Sequence, residues 1–280
     1  MSNLHIVTVA TSSEYYFPYL KESCKNNGKE LEILGFGEKW EGFNWRFLKM
    51  IEYLKKLPKT DIVCFIDGYD ILCIRNLIDF TKVFLDLKLK HNCKIIVGSE
   101  DNTNSLMKLT GPLYFGRCNN KSLNAGTYIG YVEDLLLILS NIYNLNPTND
   151  ADDQVLMTKY CNLYPNDIYI DINNELFLTL GYPLYDLYDL VNFNNGVITY
   201  NNNNPFFIHA PGYGILDTIV KKLNYDTDDT INIKDKLYKN FFEKKIMLYV
   251  NYILSYENII LCILTILLLT IFYYKKQLII

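Results

Sequence analysis

Asp67 and Asp70 follow the short apolar run Ile62-Val-Cys-Phe-Ile66, with only Gly68 and Tyr69 between them. The run is rich in β-branched residues and is bounded by Pro58-Lys-Thr-Asp61 and Gly68, which predicts a strand buried on both faces of a parallel sheet. Ligands of open α/β sheets bind at the carboxyl ends of strands, where this pair stands. With the chain turning at Gly68, both carboxylates can converge on one divalent cation. Asp-Gly is also a common turn dipeptide, so on this stretch alone a simple turn fits as well. His209 ends a second apolar run, Pro205-Phe-Phe-Ile-His209, ahead of the loop Ala210-Pro-Gly-Tyr-Gly214. A lone histidine more often serves structure, but one at a strand end is a candidate third ligand for the aspartate pair.

Other side chains suit a sugar or a nucleotide. Thr148-Asn-Asp-Ala-Asp-Asp-Gln154 places Asp150, Asp152 and Asp153 ahead of an apolar helix, Val155 to Tyr160. Acidic residues there can be caps, yet this set exceeds what a cap requires and suits sugar hydroxyls. Asn124, in Leu123-Asn-Ala-Gly-Thr-Tyr-Ile-Gly130, can hydrogen-bond a hydroxyl, and Gly126 permits close backbone approach or positive φ. The same small residues also fit a tight turn before a strand. Trp40, in a glycine-containing loop, can stack on a base or plug a core edge. Thr11-Ser-Ser ends the first apolar run, either meeting a nucleotide or capping a helix.

The elements that must position these groups alternate. Strands are expected at Leu4–Ala10, Leu31–Leu34, Ile62–Ile66, Cys93–Val97 and Tyr169–Ile172. Helical spacing covers Tyr15–Asn26, Arg46–Leu57 (Phe47, Met50, Ile51 and Leu54 on one face) and Leu77–Leu89, and a helix begins near Val132. Glu175-Leu-Phe-Leu-Thr-Leu180 continues the core. The alternation gives an α/β sandwich with a largely parallel sheet. Gly98-Ser-Glu-Asp101 opens a long polar stretch reaching Gly111-Pro112, long enough to be functional or mobile.

Half of the 280 residues are hydrophobic and 15% are aromatic, enough to fill a large core. The formal net charge of -4 comes without a basic stripe, which argues against nucleic acid. Abundant Asn, Ile, Lys and Tyr, with the tract Asn201–Asn204, point to an A+T-rich genome. Seven scattered cysteines, none at zinc-site spacing, suggest buried thiols in a reducing compartment rather than a disulfide framework. Met1-Ser-Asn-Leu-His5 leads straight into a strand, without the features of a signal peptide.

Taken in order, Val7-Thr-Val-Ala-Thr11, Gly37-Glu-Lys-Trp40, Phe65-Ile-Asp-Gly-Tyr-Asp-Ile71, Leu123-Asn-Ala-Gly126, Asp152-Asp-Gln154 and Ile208-His209 form a specific set. Over residues 4–222 the chain resembles the glycosyltransferase domain of multifunctional procollagen lysyl hydroxylases and stand-alone collagen glucosyltransferases of giant viruses. The resemblance implies a GT-A-type nucleotide-sugar-binding fold spanning residues 1–224, Mn²⁺, and UDP-glucose as donor. It implies transfer of glucose, with retention, to galactosyl-hydroxylysine in a collagen-like polypeptide. Asp67, Asp70 and His209 would hold the manganese. Thr8, Ala10, Thr11, Trp40 and Tyr69 would hold the nucleotide, with Gly212, Lys221 and Lys222 toward the phosphates. Asn124 would lie beside the sugar, and Asp152 and Asp153 would orient donor glucose and acceptor hydroxyl. Two alternatives stay open: a UDP-galactose:hydroxylysine galactosyltransferase, and a degenerate membrane-anchored UDP-sugar-binding scaffold.

The chain departs from that pattern in places. The glycine-rich Gly-Gln-Lys segment ahead of Arg46 is shortened to Gly42-Phe-Asn-Trp45, removing a lysine that could touch phosphate. The loop after Glu100 lacks the tryptophan of animal relatives, and a His-Gly-Asn-Gly motif becomes His209-Ala-Pro-Gly212. No oxygenase domain follows, so no hydroxylase activity is expected. A charged connector, 225–245, leads to the hydrophobic tail 246–280, whose stretch 259–274 is uncharged and precedes Lys275-Lys276. The tail reads as a C-terminal membrane-anchoring helix, with the catalytic domain facing the cytosol of a virus-infected host cell. A helix packed on the domain is the alternative for this tail.

Overall fold

The computed structural model describes residues 2–225, 232–246, 264 and 266–268. The chain divides into two compact units, Met1–Ile233 and Lys234–Ile280. In chain order the first unit runs β1 (Leu4–Val9), α1 (Phe17–Asn26), β2 (Leu31–Leu34), α2 (Phe43–Leu54), β3 (Ile62–Ile66), β4 (Ile71–Cys73), α3 (Phe80–His91), β5 (Ile95–Ser99) and α4 (Ser105–Phe115). It continues with β6 (Leu123–Tyr131), α5 (Val132–Leu145), α6 (Asp153–Leu163), β7 (Ile168–Asp171), β8 (Phe177–Thr179), a hairpin of β9 (Asn192–Asn194) and β10 (Val197–Thr199), β11 (Phe207–His209) and α7 (Asp217–Lys222).

The main sheet has the order β2-β1-β3-β6-β5-β7. All its pairings are parallel except those of β6, which runs antiparallel to both β3 and β5. The reading of a mixed, mostly parallel α/β sheet therefore holds. Alternate residues of its strands feed two cores. Val7, Val63, Phe65, Ile95 and Val97 pack with Phe47, Met50, Leu135 and Ile138 on the α2/α5 face. Ile6, Ile62, Cys64, Ile66 and Ile96 pack with Leu20, Phe80 and Phe84 on the α1/α3 face. Burial on both faces explains the unbroken apolar runs of β3 and β5.

Two features bring distant sequence to one edge. The reversal of β6 carries its first residues to the carboxyl ends of β3 and β5, where Ile66 pairs with Thr127 and Gly98 with Asn124. A smaller sheet, β4-β11-β8, sets His209 opposite Ile71 and beside Thr179.

The structure corrects three expectations. The small-residue cluster placed ahead of a strand, Leu123 to Gly126, is itself the start of β6, which also removes the tight-turn alternative. The long polar stretch after Gly98 holds α4, capped by Asn104, whose side chain accepts from Met107 N at 2.9 Å; Gly111 and Pro112 lie inside it. The dispersed-thiol reading fails at one pair, since Cys118 and Cys161 form a disulfide. Cys24, Cys64, Cys73 and Cys93 are free and buried, as expected. Among the described residues no helix is long and apolar enough to cross a membrane. The expected anchor, 259–274, lies outside the described residues apart from Leu264 and Ile266, Leu267 and Leu268.

Candidate active site

Asp67 lies just past β3 and Asp70 just before β4, and the turn between them reverses the chain. Gly68 is favoured there by space rather than by φ. A Cβ at this position would lie 3.1 Å from both Ala10 Cβ and Thr8 Oγ1. Backbone bonds fix the turn: Asp67 N donates to Gly126 O at 2.8 Å, and Ala210 N donates to Asp70 O at 2.8 Å. The second bond places His209 against the pair. Its Nε2 is 3.3 Å from Asp70 Oδ1 and 3.7 Å from Asp67 Oδ2. One ligand atom from each of the three residues lies within 4.8 Å of the others.

His209 is 1% exposed, and neither ring nitrogen has a hydrogen-bond partner. A buried orphan imidazole facing two carboxylates is costly unless something binds it. Two carboxylates and an imidazole form a donor set that suits Mn²⁺ or a similar divalent ion. Gly126 makes room for the cluster, because a Cβ there would sit 2.6 Å from Asp67 Oδ2 and from His209 Cε1. Burial raises the Asp67 pKa, only partly offset by Arg46. Burial alone would lower that of His209, but Asp70 and Asp67 reverse the sign and hold it above the ordinary value.

Arg46 joins this cluster to the acidic stretch of α6. Its guanidinium is nearly enclosed and pairs through Nη1 with Asp67 Oδ1 and through Nη2 with Asp153 Oδ2. It also lies 5.3 Å from the ring centroid of Phe43 and 5.7 Å from that of Phe65. Burial pushes the Asp153 carboxyl up to about 6, against the pull of Arg46. The neighbouring aspartate behaves differently. Asp152 is exposed and caps α6, its Oδ1 accepting from Val155 N at 2.9 Å. The acidic stretch thus divides into a cap and a buried ionic partner.

Asn124 Oδ1 accepts from Gly126 N at 2.9 Å, and its Nδ2 lies 3.5 Å from Gln154 Oε1. Gln154 in turn donates to Glu100 Oε2. Burial raises the Glu100 pKa. At the end of β1, Thr8 and Ala10 are fully buried beneath Gly68, and the Thr8 hydroxyl has no partner. The Tyr69 hydroxyl accepts from Thr11 N at 2.9 Å and Ser12 N at 3.2 Å, tying the β1 loop to the aspartate turn. Trp40 is 38% exposed and meets Phe43 and Trp45 edge-on, so one part of its surface packs and another stays open. Gly212 has φ +66° in an open loop. Lys221 and Lys222 are exposed on the last turn of α7, with Lys222 Nζ 5.9 Å from the centroid of the Tyr188 ring.

Asp67, Asp70, His209, Asn124 and Asp153 therefore converge, and Tyr69 and Thr11 are joined beside them. Sequence reasoning left out Arg46 and Glu100 as site residues, and it grouped Gln154 with the aspartates as suited to sugar hydroxyls without giving it a role of its own. Each left a signal. Arg46 precedes Met50 by one helical turn and so falls on the buried face of α2. Glu100 follows β5 as Asp67 follows β3, and Gln154 adjoins the aspartates.

Residues 1–225 match the family model described as the PLOD GT domain. The chain belongs to the PLOD GT domain family. A multifunctional procollagen lysine hydroxylase and glycosyltransferase of Caenorhabditis elegans is 25% identical over 240 residues, covering 76% of this chain and 31% of the worm protein. The chain thus spans about a third of the length of that relative. Among solved structures, a glycosyltransferase involved in glycosylation of the major capsid of PBCV-1 matches with a TM-score of 0.46 and 13% identity, covering 80% of this chain and 98% of that one. Mouse xyloside xylosyltransferase 1 in its apo form matches with a TM-score of 0.43 and 11% identity, over 75% and 98% of the two chains. As a PLOD GT domain, the protein is a glycosyltransferase, and the converging residues lie within the matched span.

Proposed function

We propose that this PLOD GT domain is a GT-A-type, Mn²⁺-dependent hexosyltransferase that moves glucose from UDP-glucose to galactosyl-hydroxylysine in collagen-like chains, with retention. The observation that carries the reading is the cluster of Asp67, Asp70 and His209, whose ligand atoms lie within 4.8 Å of one another at the carboxyl edge of the sheet. The worm relative, named as both a procollagen lysine hydroxylase and a glycosyltransferase, supports the choice of acceptor.

Asp67, Asp70 and His209 would hold the metal, which when bound neutralises charge on the diphosphate leaving group. The other roles belong to the chain itself. Arg46 fixes Asp67 by Oδ1 and turns Oδ2 toward His209. Through its other nitrogen it holds Asp153 as an oriented carboxylate beside the reacting sugar. Asn124, held by Gly126 N, offers its amide to a sugar hydroxyl. Tyr69 secures the loop after β1, where Thr11 and Trp40 receive the nucleotide. Asp152, exposed at the helix start, is free to meet the acceptor hydroxyl.

The test follows UDP release by the full chain with Mn²⁺, from UDP-glucose and from UDP-galactose. Each donor is tried with a galactosyl-hydroxylysine peptide and with a hydroxylysine peptide. Stimulation of UDP-glucose turnover by the galactosylated peptide is the expected result. Turnover confined to UDP-galactose and hydroxylysine would replace it with the galactosyltransferase reading. UDP binding without turnover of either donor would leave a scaffold. Asp67→Asn and Asp70→Asn should each lower transfer by about 10²–10³-fold and weaken Mn²⁺ binding measured by electron paramagnetic resonance.

A further inference from the structure

Helix α4 has apolar side chains on two sides, and the domain uses only one of them. Met107, Gly111, Pro112 and Phe115 face a narrow cleft that Glu100, Asp101 and Gln154 also line. On the other side Leu106, Leu109 and Leu113 recur at i, i+3 and i+7, one stripe along the helix. They are 68%, 72% and 81% exposed, and Tyr114 beside them is 74% exposed. Among the described residues no other helix exposes three leucines to this degree. Single exposed leucines are ordinary, but a contiguous stripe marks a surface that meets something apolar.

The stripe is held in place rather than frayed. Thr103 Oγ1 donates to Gly181 O at 2.5 Å before α4, Asn104 caps its first turn, and Cys118 is tied to Cys161 after it. Between these anchors no residue of α4 is buried. The helix is therefore fixed by its ends with its leucine face open.

Charge narrows the occupant. Residues 102–132 contain Lys108, Arg117 and Lys121 and no carboxylate, although the whole chain is acidic at net -4. Glu100 and Asp101 lie on the cleft side and are engaged there, Glu100 by Gln154 and Asp101 by Ser122 N at 3.2 Å. A leucine stripe accompanied by cations complements a surface that is both apolar and anionic, which is the headgroup boundary of an acidic bilayer. Tyr114 suits the same depth, with its ring toward the acyl chains and its hydroxyl toward water. An 11-residue helix is about 16 Å long, against a hydrocarbon core of about 30 Å, so it can lie in the interface but cannot cross it.

We propose that the Leu106–Leu109–Leu113 face of α4 seats the domain on an anionic lipid surface. The inference stands apart from the transferase reading and from the tail. Its test places a nitrobenzoxadiazole probe on Thr110→Cys, next to the stripe, where the native hydroxyl donates to Leu106 O at 2.9 Å. Cys262→Ser removes the thiol of the tail, and the other free cysteines are buried. This labelled full chain is reconstituted with phosphatidylcholine vesicles, with and without phosphatidylserine. Phosphatidylserine should shift the probe emission to the blue and open it to quenching by spin-labelled lipid, and high salt should reverse both. Lys108→Ala and Arg117→Ala, at exposed positions, should each lower the ratio of inserted to exposed probe about fivefold. Replacing Leu106, Leu109 and Leu113 together by Gln should abolish the response, with folding checked by circular dichroism. A probe that stays in water on both vesicles, or is quenched equally on both, would overturn the proposal. So would a blue-shifted probe that spin-labelled lipid does not quench, because protein would then cover the stripe. That cover would be a second copy if the shift grows with the protein-to-lipid ratio, and the chain's own tail if it does not.

Discussion

Arg46 occupies one oxygen of Asp67 and so decides which oxygen faces His209. Its fork geometry is the reason a lysine should not substitute. Arg46→Lys keeps the charge but loses the simultaneous grip on Asp67 and Asp153; Mn²⁺ affinity should fall about 10–100-fold, the usual cost of losing a group that orients a ligand. Titration of Mn²⁺ followed by electron paramagnetic resonance checks this without turnover. Arg46→Ala strands the buried Asp153 and the half-buried Asp67 and should lower unfolding stability by about 3 kcal/mol, measurable in urea. At this scale the sequence was informative where residue type and strand end coincide. Asp67, Asp70 and His209 follow apolar runs, so their edge could be read from the runs alone. Arg46 sits inside a helix, where an apolar-face reading passes over a charged residue. The distinction between Asp152 and Asp153 depends on which one follows the cap, and adjacent positions in a sequence carry no such mark.

Asp171 ends β7 and anchors the turn into β8, accepting from Glu175 N at 3.0 Å, Leu176 N at 2.8 Å and Phe177 N at 3.0 Å. Complete burial pushes its pKa up to about 6 despite these three donors. Because the folded value lies above the unfolded one, the native state holds the proton more tightly between about pH 4 and pH 6. Stability owed to this residue should fall by up to about 3 kcal/mol as pH rises through that window, then level off. Urea unfolding across the range, with Asp171→Asn flattening this component, is the measurement. The strands were legible because β-branched runs buried on both faces leave an unbroken apolar signal. Helix α4 was not, because Gly111-Pro112 reads as a break while anchors distant in sequence, at Gly181 and Cys161, hold the segment. The opening of β6 was hidden for a related reason: Asn124-Ala-Gly126 has no β-branched residue, and pairing with β5 supplies what propensity lacks. The disulfide is a further tie between elements. Closing a loop with a sequence separation of 43, it should contribute about 4 kcal/mol, so Cys118→Ser ought to shift the urea midpoint strongly downward.

For the whole molecule, a resemblance spread over residues 4–222 conveyed more than any one motif, and the family match over 1–225 has nearly the same limits. Composition contributed the size of the core and the absence of a basic stripe, but seven scattered cysteines carried no pairing information. The apolar 259–274 segment is proposed as a membrane anchor; the full chain should then pellet with membranes, resist alkaline carbonate and dissolve in detergent, and recovery in the detergent-free soluble fraction would refute the anchor. The Cys118–Cys161 bond also determines what a protease can separate. Asn119 and Asn120 form a turn with φ of 51° and 60°, exposed between Cys118 and Lys121. A cut there, or anywhere up to Cys161, leaves two fragments joined through sulfur, which part on a gel only after reduction. A cut within α4 falls outside that ring, so its fragments separate in detergent without any reductant. A single digest run with and without thiol would therefore show whether the first cleavage falls inside or outside the ring closed by Cys118 and Cys161.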